Sequence, residues 1–353
     1  MTDIRYPAPV ALRPAPEAPP RTRPELVTAR SPLRVSLAGG GTDIPSYALR
    51  YGGLVIGCAI DRFVAVTVYP REFRGRLRAA TETYDVCERA HDHPDEMTRA
   101  CLLRAGLHTD TQIASFGDVP AGSGLGGSGA FTVSLLHAAA ACDTRSARAL
   151  ATAASEVEIT DLGRAVGRQD HYMAAYGGLR VLRFHPSGHV EPDRLVLTPQ
   201  TRAALEERLM LFHTGITRDA GDILAEQNRR TLAGHHGALR RLHRIRRIAD
   251  EMTEALEQGE VDGVGALVDE HWTLKSQLGS RVSSPRLQAL HDRAVEAGAD
   301  GGKLLGSGGG GFLLLVCAPG RQADVRASLA EVGLREMPFR FTDSGSEVVR
   351  LPL

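Results

Sequence analysis

The stretch PAGSGLGGSGAF, residues 120–131, sets five glycines and two serines between an apolar run and a segment of helical composition. Glycine admits dihedrals and close approaches that side chains forbid. At a helix start it exposes unpaired N–H groups beside the positive end of the helix dipole, and phosphate is the usual anion at such a site. A tight strand-to-helix turn alone would need only one or two glycines. A G-x-x-x-x-G-K-[ST] string does not occur in the chain. Gly122, Gly124 and Gly127 do spell G-x-G-x-x-G, but the dinucleotide-binding pattern requires the next helix to lead into a strand ending in an acidic residue. Here a second alanine-rich helical stretch follows instead.

The 353 residues provide for two domains at ~100–200 residues each. Residues 1–30 carry seven prolines and little apolar periodicity, which predicts a disordered or extended arm. Order is expected from LRVSLAG onward, where Leu33, Val35 and Leu37 alternate with polar neighbours as in a strand. GGLVIGCAI, FVAVTVYP and TQIASFGDVP read as further strands, SGAFTVSLLHAAAA and TRSARALATAASEVEITDLG as helices, and LRVLRFHP as a strand. Residues 31–195 thus form one α+β unit. Residues 196–353 form another, with a long helical stretch over 219–258, a helix SPRLQALHDRAVEAG ended by Gly298, a buried strand FLLLVCAP, a helix RQADVRASLAEVG and closing strands.

Equal numbers of basic and acidic residues, 42 each, speak against nucleic acid or an anionic membrane as the main partner. Five scattered cysteines without a C-x-x-C pair suggest a reducing compartment and no structural zinc. The absence of an ~18-residue apolar run and of a signal-peptide core predicts a cytoplasmic protein without a membrane span. The arginines at 229, 230, 240, 241, 244, 246 and 247 lack interleaved aromatics and read as a solvated helix face. HDHPDE, residues 91–96, has no second ligand cluster at metal spacing and reads as a polar loop. Lysine occurs only at 275 and 303, a bias that a GC-rich genome accounts for.

PAGSGLGGSGA resembles the P-x-x-x-G-L-G-S-S-A phosphate loop of the GHMP kinases. SPLRVSLAGGGTDIPSY (31–47) is similar to that family's first motif, and KLLGSGGGGFLLLV (303–316) to its third. Within the family, AGGGTDIPSY, GRQDHYMAAYGG, LFHTGITR and GGKLLGSGGGGF look most like the heptose-7-phosphate kinases. The resemblance implies a two-domain α+β fold with ATP and substrate in the cleft between domains. It also implies transfer of the γ-phosphoryl group, with Mg²⁺, to the anomeric hydroxyl of a seven-carbon sugar phosphate. A kinase for another sugar such as fucose, and a catalytically inactive sugar sensor, are the alternatives.

Carried over residue by residue, Pro120, Gly122, Ser123, Gly124, Leu125, Gly126, Gly127, Ser128 and Gly129 would wrap the ATP phosphates. Ser128 and Glu158, with Glu156 as the alternative, would hold the metal. Asp170 matches the catalytic aspartate that accepts the proton of the attacking hydroxyl. Arg34, a charged residue inside an apolar strand, matches the first-motif cation that supports it. Gly40, Gly41, Thr42, Asp43, Thr214, Gly215, Gly308, Gly309 and Gly310 fall on the substrate side, and Arg218 is assigned to the distal phosphate. The expected partner is a small-molecule sugar phosphate, with a homodimer as the candidate assembly. Two features depart from the subgroup. Gly127 and Gly129 flank a single Ser128 where consecutive serines are usual, and His171 stands where glutamine is usual; if His171 touches sugar, the preferred stereochemistry would differ.

Overall fold

The computed structural model describes residues 25–71, 75–140, 146–216 and 221–352. Two sheets organise them. The first has eight strands: β1 (Glu25–Ala38), β2 (Gly53–Pro70), β3 (Leu77–Ala80), β4 (Tyr84–Cys87), β5 (Thr111–Gly117), β6 (Leu179–Phe184), β7 (Val190–Arg194) and the last strand of the chain, β12 (Glu347–Pro352). They run β12-β1-β2-β5-β3-β4, with β6 on the other stretch of the long β2 and β7 beyond it. The second sheet, in the order β11-β8-β10-β9, uses β8 (Leu209–His213), β9 (Gly301–Leu304), β10 (Phe312–Val316) and β11 (Arg335–Glu336).

The helices are α1 (Pro45–Tyr51), α2 (Glu96–Arg104), α3 (Gly127–Ala139), α4 (Ala147–Glu156), α5 (Gln169–Tyr176), α6 (Pro199–Arg208), α7 (Gly221–Leu232), α8 (His236–Glu257), α9 (Val264–Lys275), α10 (Pro285–Glu296) and α11 (Gln322–Glu331). α3 and α5 pack on β1, and α8 and α9 reach the same strand. Alternation along β1 therefore gives way to burial on both sides: Arg34 and Ser36 are covered as fully as Leu33, Val35 and Leu37. A strand enclosed on both faces is where an embedded cation needs a partner.

Order begins earlier than the proline content suggests. Glu25–Arg30, expected in the arm, pair antiparallel with β12, and Arg30 Nη2 meets Glu347 at 2.7 Å. Val27 and Ala29 are fully buried there, a period-2 signal overshadowed by the prolines up to Pro24. A boundary at residue 195 separates the two sheets but not the chain, because β12 returns to the first one. The larger core likewise joins Val35, Ile56 and Leu136 to Ile248, Met252 and Leu305 from the second half. A second core, around Phe212, Trp272, Leu290, Leu313 and Leu329, fills the space under α10 and α11.

The helical stretch over 219–258 is broken at Gly234, whose φ of 68° ends α7; the His235 ring then caps α8. Of the arginines there, Arg244 pairs with Glu270 and Glu251, Arg241 with Gln277, and Arg230 with the Leu278 carbonyl. Arg240, Arg246 and Arg247 are exposed around an open hollow beside Tyr47 and His243. In HDHPDE, Asp92 and Asp95 cap short helices, and no metal-holding cluster of three His, Cys, Asp or Glu occurs among the described residues. No described helix is long and apolar enough to cross a membrane.

Candidate active site

β5 delivers the chain into the glycine loop, and α3 starts at Gly127 without a side-chain cap. The N-cap Gly126 has a left-handed φ of 80°. A Cβ there would lie 3.2 Å from Arg34 Cγ and 3.3 Å from Asp170 Cγ, and one on Gly129 would lie 2.7 Å from Asp170 Cβ. These bare positions let α3 come down onto the buried ionic pair. Gly127 differs: a Cβ on it would meet nothing within 4 Å. Pro120, Gly122 and Ser128 are exposed, whereas Ser123 and Leu125 are buried. The Leu125 and Gly124 carbonyls accept from the Arg34 backbone N–H and Nη1, at 3.0 and 2.6 Å.

Arg34 Nε donates to Asp170 Oδ1 at 2.8 Å, and Nη2 lies 2.7 Å from the same oxygen. The arginine is 4% exposed and the aspartate 24%. Asp170 Oδ2 has no protein partner among the described residues. One oxygen is thus fixed by a cation while the other is not engaged by the described residues.

Ser128 and Glu158 come together across α3 and the wide turn Val157–Asp161. Burial raises the Glu158 carboxyl, but the hydrogen bond and charge of His171, then Arg164 and the Ser128 hydroxyl, more than reverse it, leaving the group below the usual carboxylate range. Glu156 instead pairs with Arg104 at the surface. His171 is 1% exposed, and its Nε2 lies 3.1 Å from Glu158 Oε1. The conditional reading of His171 as a sugar contact is therefore replaced: it is turned to the acidic residue and away from open space.

The first-motif turn is held from several sides. Asp43, 1% exposed, accepts from the Gly41 and Gln169 N–H groups at 3.0 and 3.1 Å and from Gln169 Nε2 at 3.2 Å. Burial pushes its carboxyl up, with the Asp170 charge adding to this and the backbone donors opposing it. The Thr42 hydroxyl is spent on the Gly39 and Leu54 carbonyls. Gln227 of α7 donates to the Gly41 carbonyl at 3.3 Å. Gly40 is buried and Gly41 half-buried, so the face of the turn open to a ligand is backbone.

In the third motif, Cβ atoms on Gly308 and Gly310 would meet the Val282 and Ile216 carbonyls, at 2.6 and 2.5 Å, and one on Gly311 would overlap Ser123. The Gly309 N–H donates to the Val282 carbonyl at 2.7 Å. Thr214 is buried and gives its hydroxyl to the Gly311 carbonyl at 2.8 Å. Gly215 is exposed, with nothing near its Cβ position. Arg218 lies outside the described residues.

Residues 93–178 match the GHMP kinase N-terminal domain, and residues 252–333 the GHMP kinase C-terminal domain. The chain belongs to the GHMP kinases. It is 29% identical over 338 residues to D-glycero-alpha-D-manno-heptose 7-phosphate kinase of Campylobacter jejuni, spanning 92% of this chain and 99% of that one. It is 31% identical over 92% of its length to L-fucokinase/L-fucose-1-P guanylyltransferase of Bacteroides fragilis, of which it spans only 39%. Among solved structures it superposes on a D-glycero-D-manno-heptose 1-phosphate kinase from Bacteroides thetaiotaomicron with a TM-score of 0.74 and 26% identity, covering 92% of this chain and 98% of that one.

Five residues around this GHMP kinase site escaped the sequence reading: Gln169, Gln227, His271, Lys275 and Lys303. Each acts through tertiary contact from an element remote from its target. Only the two lysines carried a sequence signal, their rarity among 42 basic residues.

Proposed function

We propose that the protein is an ATP-dependent sugar kinase that phosphorylates the anomeric hydroxyl of a heptose 7-phosphate to give the 1,7-bisphosphate. The observation that carries the reading is the buried Arg34–Asp170 pair, with Asp170 Oδ2 unengaged, beneath the start of α3. The sugar hydroxyl would be oriented at that oxygen. As its oxygen bonds the γ-phosphorus, its proton passes to Asp170, and the bond between the γ-phosphorus and the bridging oxygen breaks to leave ADP. Arg34 offsets charge spread over the transferring group and holds Asp170 in place through Oδ1. The open backbone at Gly127 and the N-terminal N–H groups of α3 suit the phosphates of ATP.

Ser128 and Glu158 offer two hard oxygen donors on one side of that loop, a set that suits Mg²⁺ with nucleotide phosphates completing the shell. Such an ion would neutralise phosphate charge. His171 orients Glu158 for this task. The half-buried backbone of Gly41 is the part of the first-motif turn offered to sugar, with Asp43 ordering it from behind.

Similarity over the full length of the Campylobacter enzyme supports the heptose reading. The name of the Bacteroides structure puts the substrate phosphate on the other end of the sugar, so both isomers belong in the assay. Incubation with ATP, Mg²⁺ and heptose 7-phosphate should give a new anomeric phosphorus resonance coupled to the anomeric proton. Equal or faster turnover of fucose or another unphosphorylated sugar would overturn the assignment, and turnover of heptose 1-phosphate alone would reverse its direction.

A further inference from the structure

Both lysines of the chain are buried beside the site, in a protein whose other basic residues, apart from histidine, are all arginine. Lysine is almost never fully buried unless paired. Neither makes an ion pair with a carboxylate among the described residues; both are bound to backbone instead. Lys303 Nζ donates to the Leu37 carbonyl at the end of β1 and lies 3.0 Å from His271 Nδ1. Lys275 Nζ donates to the Gly306 carbonyl, in the third-motif loop. His271 and Lys275 are four residues apart on α9 and so share one face of it.

The Gly306 contact leads straight to the chemistry. A Cβ on Gly306 would lie 2.7 Å from Gly124 Cα, so the third-motif loop rests on the phosphate loop there. The Gly124 carbonyl accepts from Arg34 Nη1, and Arg34 holds Asp170. We propose that Lys275 is a positioning residue for phosphoryl transfer: as an ammonium it clamps the third-motif loop onto the phosphate loop at Gly124, and thereby fixes the Arg34–Asp170 pair. A charge-assisted hydrogen bond is roughly twice as strong as a neutral one, so loss of the proton weakens the clamp. Arginine, always charged and planar, cannot make such a switch; lysine can.

The charged groups facing Lys275 are Arg34 from β1, Lys303 from β9, Asp43 from the first-motif turn and Asp170 from α5, with the buried His271 on its own helix. Burial, then Arg34, push its ammonium down to about 8, against the pull of Asp43 and Asp170. The clamp is therefore at full strength below that pH and weakens as pH rises through it. A nucleotide's negative charge nearby shifts the balance back toward the ammonium.

This inference deepens the kinase reading and rests on it, yet its main test needs no sugar. With two lysines, protein labelled with ¹³C at lysine Cε gives two signals, and the one missing from Lys275→Arg is assigned. We expect that signal to titrate with a midpoint near 8 and to move to higher pH with ADP. An ordinary lysine midpoint that ADP leaves in place overturns the proposal, whichever sugar the enzyme accepts. In turnover, Lys275→Met should cost ~10²-fold in kcat, the scale of a displaced catalytic group, with little change in KM for ATP. Lys275→Arg should recover much of that loss and lack the alkaline limb of the wild-type pH profile. Wild-type kcat in a folded Lys275→Met, or the same alkaline limb in Lys275→Arg, would also sink it; should Lys275→Met not fold, the titration and the arginine variant decide.

Discussion

Two glycine-rich loops meet in this molecule, and their glycines do different things. In the third-motif loop, Cβ atoms on Gly308, Gly310 and Gly311 would run into Val282, Ile216 and Ser123. In the phosphate loop, Gly126 and Gly129 make room for Arg34 and Asp170, while Gly127 faces open space and Ser128 is exposed. One loop spends its missing side chains on contact between protein segments. The other spends part of them that way and keeps an opening at the head of α3. Glycine content alone therefore marks close approach, and what approaches is a separate question.

The sharpest test of that division lies behind the phosphate loop. Asp170→Asn keeps the shape and removes the proton acceptor, so turnover should fall ~10²–10⁴-fold while ATP affinity holds in the folded variant; thermal stability should fall, because the buried Arg34 loses its carboxylate. Retention of more than about a tenth of turnover in steady-state assays would mean that another group takes the proton. Arg34→Met should cost ~10²–10³-fold. The double variant should lose less than the two losses combined, since a cation that serves Asp170 matters less once Asp170 is gone. Strict additivity in that cycle would show the pair to be uncoupled.

Gly311→Ala carries the comparison to the other loop. Its φ of 80° and the overlap with Ser123 should lower folding stability by about 2–4 kcal/mol, read as a shifted urea midpoint. Gly127→Ala should do the opposite. Stability stays level or rises by up to about 1 kcal/mol, because alanine loses less entropy in a helix. Nucleotide affinity should weaken ~3–10-fold, equivalent to about 1 kcal/mol, in a calorimetric titration. If both variants destabilise equally and bind nucleotide equally, the two loops are not distinct in function.

Much of the fold was legible locally. The buried β10 and the helices α10 and α11 follow from periodicity and caps that a window of a dozen residues contains. The start of β1 was not, because the prolines up to Pro24 mask the alternation at Val27 and Ala29, and β12 pairs with it from more than 300 residues away. In the site, the glycine loop before α3 announced an anion, and Arg34 announced itself as a charge within an apolar strand. The resemblance to the GHMP kinases, carried over residue by residue, then pointed to Asp170 and Glu158.

What the sequence determined by itself is what short-range physics encodes: bare backbone at a helix start, a cation in a strand, two lysines among 42 basic residues. Tertiary structure alone decided which of these meet. It turned His171 to Glu158, enclosed Asp43 under Gln169, pressed Gly306 onto Gly124, and brought Lys275 to that contact. A side chain's partner across 30 or 130 residues is set by how whole elements pack, and packing is a property of the assembled core rather than of any segment in it.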